Sequence, residues 1–179
     1  VLAVHFFAFI SSLRYTSVAS STLLVNFHPL IVGAASVLIL KESSKRTIVG
    51  VAIGFVGVAV IALTGLGTGE SVGNALALLG GVMAAIYILA GRMLRKTLGI
   101  FTYAFSVYLT AAAVLLVAAV VSGVPLWPYP TEELLIFLAL AVVCTIFGHT
   151  VYNWSLKYLA APVISTSLLG EPILASLLA

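Results

Sequence analysis

From Thr102 to Ser122 the chain places 21 residues in a row without a single charge. At 1.5 Å rise per residue a helix of that length is about 30 Å long, which is the thickness of a bilayer's hydrocarbon core. Cutting the rest at charges, prolines and Gly/Ser clusters gives seven such segments: Val1–Leu13, Ser17–Leu40, Thr47–Leu66, Gly73–Gly91, Thr102–Ser122, Glu133–Leu156 and Pro162–Ala179. Only 7% of the 179 residues are charged and 63% are apolar, with mean hydropathy +1.27. A soluble domain carries roughly 25% charged residues, so this chain could not cover a globule with solvated groups, and the bilayer must act as its solvent. In lipid the backbone has to satisfy its own polar groups, which runs of this length do as helices. The expected fold class is an all-α polytopic membrane protein.

The net charge of +3 does not point to nucleic acid, because the basic residues sit between apolar runs and form no continuous patch. They sort by side instead. Short connections make neighbouring spans antiparallel, which puts Lys41, Lys45, Arg46, Arg92, Arg95, Lys96 and Lys157 on one face and only Arg14, with Glu70, Glu132 and Glu133, on the other. The positive-inside rule then makes loops 41–46, 92–99 and 157–161 cytoplasmic, most naturally at the plasma (inner) membrane. Trp127, Pro128, Tyr129 and Pro130 fall on the opposite face, where aromatic residues suit the interfacial belt. Cys144 is the only cysteine, so a disulfide framework within the chain is excluded. The apolar runs at Val1 and Ala179 are read as spans cut short, so the chain is expected to be a fragment.

One stretch echoes another. "SLRYTSVASSTLLVNFHPLIVGAAS" from Ser12 aligns without a gap on "SLKYLAAPVISTSLLGEPILASLLA" from Ser155, at an offset of 143 residues. Ser12, Leu13, Tyr15 and Pro29 fall on Ser155, Leu156, Tyr158 and Pro172, and Arg14 falls on Lys157. The copies lie five spans apart, and an odd number reverses their direction across the membrane. Inverted repeats are the architecture of many secondary transporters, in which two halves rock about a central site.

These residues also resemble a known family. "SLRYTSVASSTLLVNFHPLIVGAASVLILKE" with "TIVGVAIGFVGVAVIALTG", and later "YNWSLKYLAAPVISTSLLGEPILASLLA", are similar to the EamA family of the drug/metabolite transporter superfamily. The resemblance implies a ten-helix bundle of two inverted five-helix halves. On that count residues 1–66 are the end of the first repeat (spans three to five) and residues 67–179 are the second (spans six to nine). It also implies a central cavity between the halves.

Candidate site residues follow from the cost of burying polar groups. Pro29 and Pro172 break their spans, leaving the carbonyls of Val25 and Leu168 without their usual donor. Such groups need partners inside the protein or in a wet cavity. Glu171 is the only acid well inside a span, where an ionised carboxylate costs about 3 kcal/mol on insertion scales. It reads either as a substrate or proton site, or as a group tying spans together. His28 occupies the matching place before Pro29 and suits a proton relay; the alternative is a neutral histidine bonded at a helix interface. His149, Tyr152 and Asn153 share a helix face at i, i+3 and i+4, with Thr145 expected one turn earlier. They are expected to line a cavity, with Tyr87 and His5 as weaker candidates. Gly50, Gly54 and Gly57, like Gly80 and Gly81, allow close helix packing, the first three also a homodimer contact. The three histidines and Cys144 show no metal spacing, and no cofactor is expected.

The leading expectation is a secondary transporter working by alternating access. Its partners are the lipid bilayer and a small-molecule substrate, with proton or ion coupling. No span centre carries Lys or Arg, which disfavours multiply phosphorylated substrates and leaves amino acids, amines and other weakly charged compounds. A non-transporting scaffold or receptor subunit is the alternative. An intramembrane enzyme fits less well, because Glu171 has no acidic partner and no span pairs a serine with a histidine on one face.

Overall fold

The computed structural model describes residues 1–40, 48–50, 52–53, 56 and 70–169, and among these every regular element is helical. Four helices have the length and hydropathy to cross a membrane: α2 (Val18–Leu40), α3 (Ser71–Leu94), α4 (Ile100–Val121) and α5 (Thr131–Ser155). The shorter α1 (Leu2–Ser12) precedes them and α6 (Ala161–Ser167) follows. Residues 48–50, 52–53 and 56 are helical too.

Helix ends follow local chemistry. Ser17 caps α2, its side chain accepting from the Ser20 N–H at 3.1 Å. Glu132 and Glu133 lie in the first turn of α5, where negative charge suits the helix dipole. Pro162 starts α6, where its missing N–H is not needed. The C-terminus of α4 closes with Gly123 at φ 68°, with Gly123 N bonded to Val120 O at 3.1 Å and Val124 N to Ala119 O at 3.0 Å. This is the Schellman arrangement, which needs a left-handed residue and so favours glycine.

The hub of the bundle is α3, which touches α1, α2, α5 and α6. Its buried residues include Gly73, Ala77, Gly80, Ala84, Ile88 and Gly91, a stripe of mostly small side chains at three- and four-residue spacing. Without a hydrophobic drive between helices in lipid, close backbone approach is what holds them together. A Cβ on Gly73 would lie 2.6 Å from the Tyr15 carbonyl carbon, and one on Gly81 would lie 2.7 Å from the Val25 carbonyl oxygen. At the other end Gly91 meets Leu156 and Tyr103. The packed core joins Leu2, Val32, Ala85, Tyr103, Leu156 and Ile164. In contrast α5 buries none of its residues from Thr131 to His149.

The two matched stretches have the same local form. Tyr15 N bonds Ser12 O and Tyr158 N bonds Ser155 O, both at 2.9 Å. Thr16 N and Leu159 N reach those same serine carbonyls at 3.0 and 2.9 Å. Ser17 and Ala160 then turn the chain with extended ψ values of 152° and 144°. The turns sit at opposite ends of α3. Thr16 Oγ1 is 2.9 Å from Glu70 Oε2 and 2.9 Å from Asn74 Oδ1, at the start of that helix. Leu156 O accepts from Arg92 Nη1 at 2.8 Å, at its end. A third turn of this kind joins α3 to α4, with Leu98 N bonded to Leu94 O at 2.8 Å. The turn form is therefore general in the bundle, and only the matched side chains are particular to the pair.

Candidate functional site

Between Val25 and His28 the second helix breaks, and Pro29 opens the piece that resumes at His28. The break frees the Val25 carbonyl, and the neighbouring side chain fills the gap: His28 Nδ1 lies 3.2 Å from Val25 O. A carbonyl only accepts, so Nδ1 carries the proton and Nε2 carries the lone pair. His28 is 4% exposed, and its Nε2 has no partner among the described residues. His5, on α1, makes the same choice of tautomer, with Nδ1 2.9 Å from Gly80 O. Gly80 and Gly81 therefore do two jobs at one level of α3. One offers its carbonyl to α1, and the other has no side chain to block the freed carbonyl of α2.

Nearer the other end of α3, a second polar group forms around Asn153, which is 1% exposed. Its Nδ2 donates to Tyr87 Oη at 2.6 Å and to Tyr108 Oη at 3.2 Å, using both amide protons. Tyr108 Oη lies 3.1 Å from Thr150 Oγ1, and Thr150 Oγ1 donates to Thr145 O at 3.3 Å. Asn153 O accepts from Arg95 Nε at 3.0 Å, and Arg95 Nη1 also bonds Leu98 O. The amide thus ties α3, α4 and α5 together. Every buried group in such a network must be satisfied, because lipid offers no substitute.

His149 bridges the two levels. Its ring meets Phe6 edge-on at 5.4 Å between centroids and Tyr87 at 6.2 Å. Phe6 in turn contacts His5 at 5.3 Å, and Phe9 stacks on His5 at 6.3 Å. The two levels are about 10 Å apart along α3, from Gly80 to Tyr87. The structure therefore brings His5, His28, Tyr87, His149 and Asn153 into one polar and aromatic column from four helices. Tyr152 does not join it, and packs half-buried against the apolar core. A separate cavity of about 440 Å³ opens between the start of α1, α3 and α4, walled by Leu2, Tyr87, Ser106, Thr110 and apolar neighbours. Tyr87 is the residue it shares with the column.

Two expectations need correction. Residues 140–149 form a π-helix, whose i→i+5 turn puts Thr145 in register with Thr150 rather than with His149. Arg92 and Arg95 are more than solvated orientation charges. Arg95 is 2% exposed, and both arginines donate to carbonyls at the end of α5, where cations suit the helix dipole. Gly50 is exposed, and among the described residues a Cβ there would meet nothing within 4 Å. Glu171, Pro172, Gly54 and Gly57 lie outside the described residues.

Sequence reasoning passed over Tyr103, Tyr108, Arg95 and Asn74. Tyr103 and Tyr108 each sit among apolar neighbours and looked like ordinary membrane aromatics. The signal that could have found Asn74 was its place, an amide one residue past Gly73 near the start of a span. Among the described residues no group of three or more His, Cys, Asp or Glu is placed to hold a metal ion.

The model of the EamA-like transporter family matches residues 71–179, more than half of the chain. The chain belongs to that family. No curated protein and no solved structure matches it. As an EamA-like chain it is a helical integral membrane protein of a transporter family, in keeping with its four span-length apolar helices. The family match begins at Ser71, the first residue of α3, and so takes in Tyr87, Arg95, Tyr108, His149 and Asn153.

Proposed function

We propose that this EamA-like protein is a secondary transporter that moves a small, weakly charged metabolite by alternating access between two inverted repeats. The observation that carries the reading is the column of His28, His5, His149, Tyr87 and Asn153, buried except for the half-buried His149, inside a largely apolar bundle. A bundle built only to persist in lipid has no need of three histidines, a tyrosine and an amide gathered in one column. Polar groups inside the membrane are costly and mark pathways by default. The repeat model draws support from the side chains matched between residues 12–15 and 155–158, which lie at opposite ends of α3, and from the family match beginning at that helix. In this reading residues 1–66 belong to the first half and residues 67–179 to the second, and Glu171 adds a carboxylate to the pathway.

The plasma membrane with loops 41–46, 92–99 and 157–161 in the cytoplasm is the matching placement. The Arg92, Arg95 and Lys157 end of the bundle then faces inward. Substrate, proton coupling and a homodimer contact are parts of the same proposal.

The test is flux in reconstituted vesicles with and without a proton gradient, using a panel of amines, amino acids and sugar phosphates. Gradient-driven movement of an amine or amino acid, lost in Glu171→Gln and His149→Ala while membrane insertion persists, is the expected result. If no member of the panel moves, the transport reading fails. For sidedness, single cysteines introduced within Pro125–Thr131 should react with an impermeant maleimide on intact cells. Reaction only after permeabilisation reverses the orientation.

A further inference from the structure

The unpartnered lone pair of His28 is the least expected polar atom in the bundle. Its Nε2 is buried and has no hydrogen-bond partner among the described residues, while Nδ1 is committed to Val25 O at 3.2 Å. An unsatisfied buried acceptor is costly, so a native position of this kind calls for an explanation. The donation to Val25 explains why a polar side chain stands before Pro29. It leaves Nε2, the second ring nitrogen, without a use.

What surrounds the atom narrows its use. His5 reaches the same level of α3, its own Nδ1 likewise committed to a carbonyl, Gly80 O, next to the Gly81 that faces Val25 O. Each of the two imidazoles has given its N–H to a carbonyl and so presents a lone pair at its other nitrogen. Phe6 and Phe9 flank His5, offering aromatic rings, whose faces attract cations. The described cation nearest in sequence on α3 is Arg92, and Gly81 to Arg92 is about 16 Å along the helix. An anionic or acceptor-only group would meet lone pairs and ring faces here, both of the wrong sign. A group carrying N–H donors and positive charge would meet the right ones, and hydrogen bonds to charged donors are the strong kind.

We propose that His28 Nε2 is a specificity-determining acceptor that selects substrates by an N–H donor on a protonated amine. This deepens the transport reading and rests on it for its biological role, but binding tests it separately from flux. The donor-bearing head replaces the missing partner of Nε2 at the broken point of α2, and the aromatic rings take the rest of the charge.

The experiment compares phenethylamine with its N,N,N-trimethyl counterpart, which keeps the charge and the ring but has no N–H. Binding is measured to the full-length protein in vesicles by scintillation proximity, with tritiated probe. His28→Asn is the decisive variant, because an Asn amide can still donate to Val25 O but carries no acceptor at the Nε2 position. His28→Phe removes both and controls for folding. Wild type should bind the primary amine at least about tenfold tighter than the trimethyl compound, equivalent to 1.4 kcal/mol. His28→Asn should keep the wild-type melting temperature and bind the two probes within about twofold of each other, a discrimination lost at that same tenfold scale. Equal binding of both probes by wild type, binding of neither, or discrimination retained in His28→Asn each overturns the proposal. In the first case a bound water is the partner of Nε2. Amine selectivity without flux would sink the transport reading alone, and flux with selectivity unchanged in His28→Asn would sink this one alone.

Discussion

Gly80 and Gly81 are neighbours on one helix, yet an added methyl group should do opposite things at the two positions. Alanine at either site gains about 0.5–1 kcal/mol, because glycine loses more backbone freedom on entering a helix. At Gly80 the new Cβ would sit 3.4 Å from Phe9 N and 3.5 Å from Phe9 Cβ, ordinary van der Waals contact. At Gly81 it would sit 2.7 Å from Val25 O and 3.1 Å from Leu24 O. Those atoms are backbone, so no side chain can swing away, and α2 must move as a unit. Overpacking of this kind costs about 1–3 kcal/mol. Movement of Val25 O also strains its bond from His28 Nδ1, worth about 1 kcal/mol. Gly80→Ala should therefore be as stable as wild type or up to about 1 kcal/mol more stable. Gly81→Ala should fall about 1–3 kcal/mol below it. Reversible unfolding in SDS, followed by circular dichroism, measures both. If the two variants agree to within about 0.5 kcal/mol, α2 and α3 do not approach as closely as the structure has them, and the account of the freed carbonyl fails with that contact.

Other perturbations test the rest of the column. Asn153→Leu removes the donations to Tyr87 and Tyr108 and should lower stability by about 0.6–1.7 kcal/mol per contact in the same SDS assay. No loss would mean that the amide is not the tie between α3, α4 and α5. Arg95→Met leaves Asn153 O and Leu98 O without a side-chain donor and should cost about 1–3 kcal/mol, whereas exposed Lys96→Met should cost far less. Gly123→Ala forces a Cβ into φ 68° and should cost about 1–2 kcal/mol at the end of α4, far from the column, leaving any binding unchanged.

The sequence by itself determined the solvent, the element type and the rhythm of the chain. A run like Thr102–Ser122 is long enough and apolar enough that lipid and helix are its only joint solution, and no tertiary contact is needed to say so. Pro29 announced a break for a similarly local reason, and the offset of 143 residues was visible because identical side chains recur in identical turns. His5, His28, Tyr87, His149 and Asn153 stood out one at a time, since polar groups inside apolar runs are costly wherever they are. What no periodicity could say is which of them meet. The column exists because small residues along α3 let α1 and α2 come within contact of its backbone, and that distance is a property of pairs of helices. The π-helix moved Thr145 to a different register from the one its spacing predicts, because i→i+5 pairing is a choice between two nearly equal backbones that packing makes. Arg95 read as a loop charge until the end of α5 was seen lying across it, supplying the carbonyls that make its burial tolerable. The tautomers of His5 and His28 were decided last of all. Each depends on a single carbonyl, Gly80 on another helix and Val25 at a broken one, and only the folded chain puts those oxygens within reach.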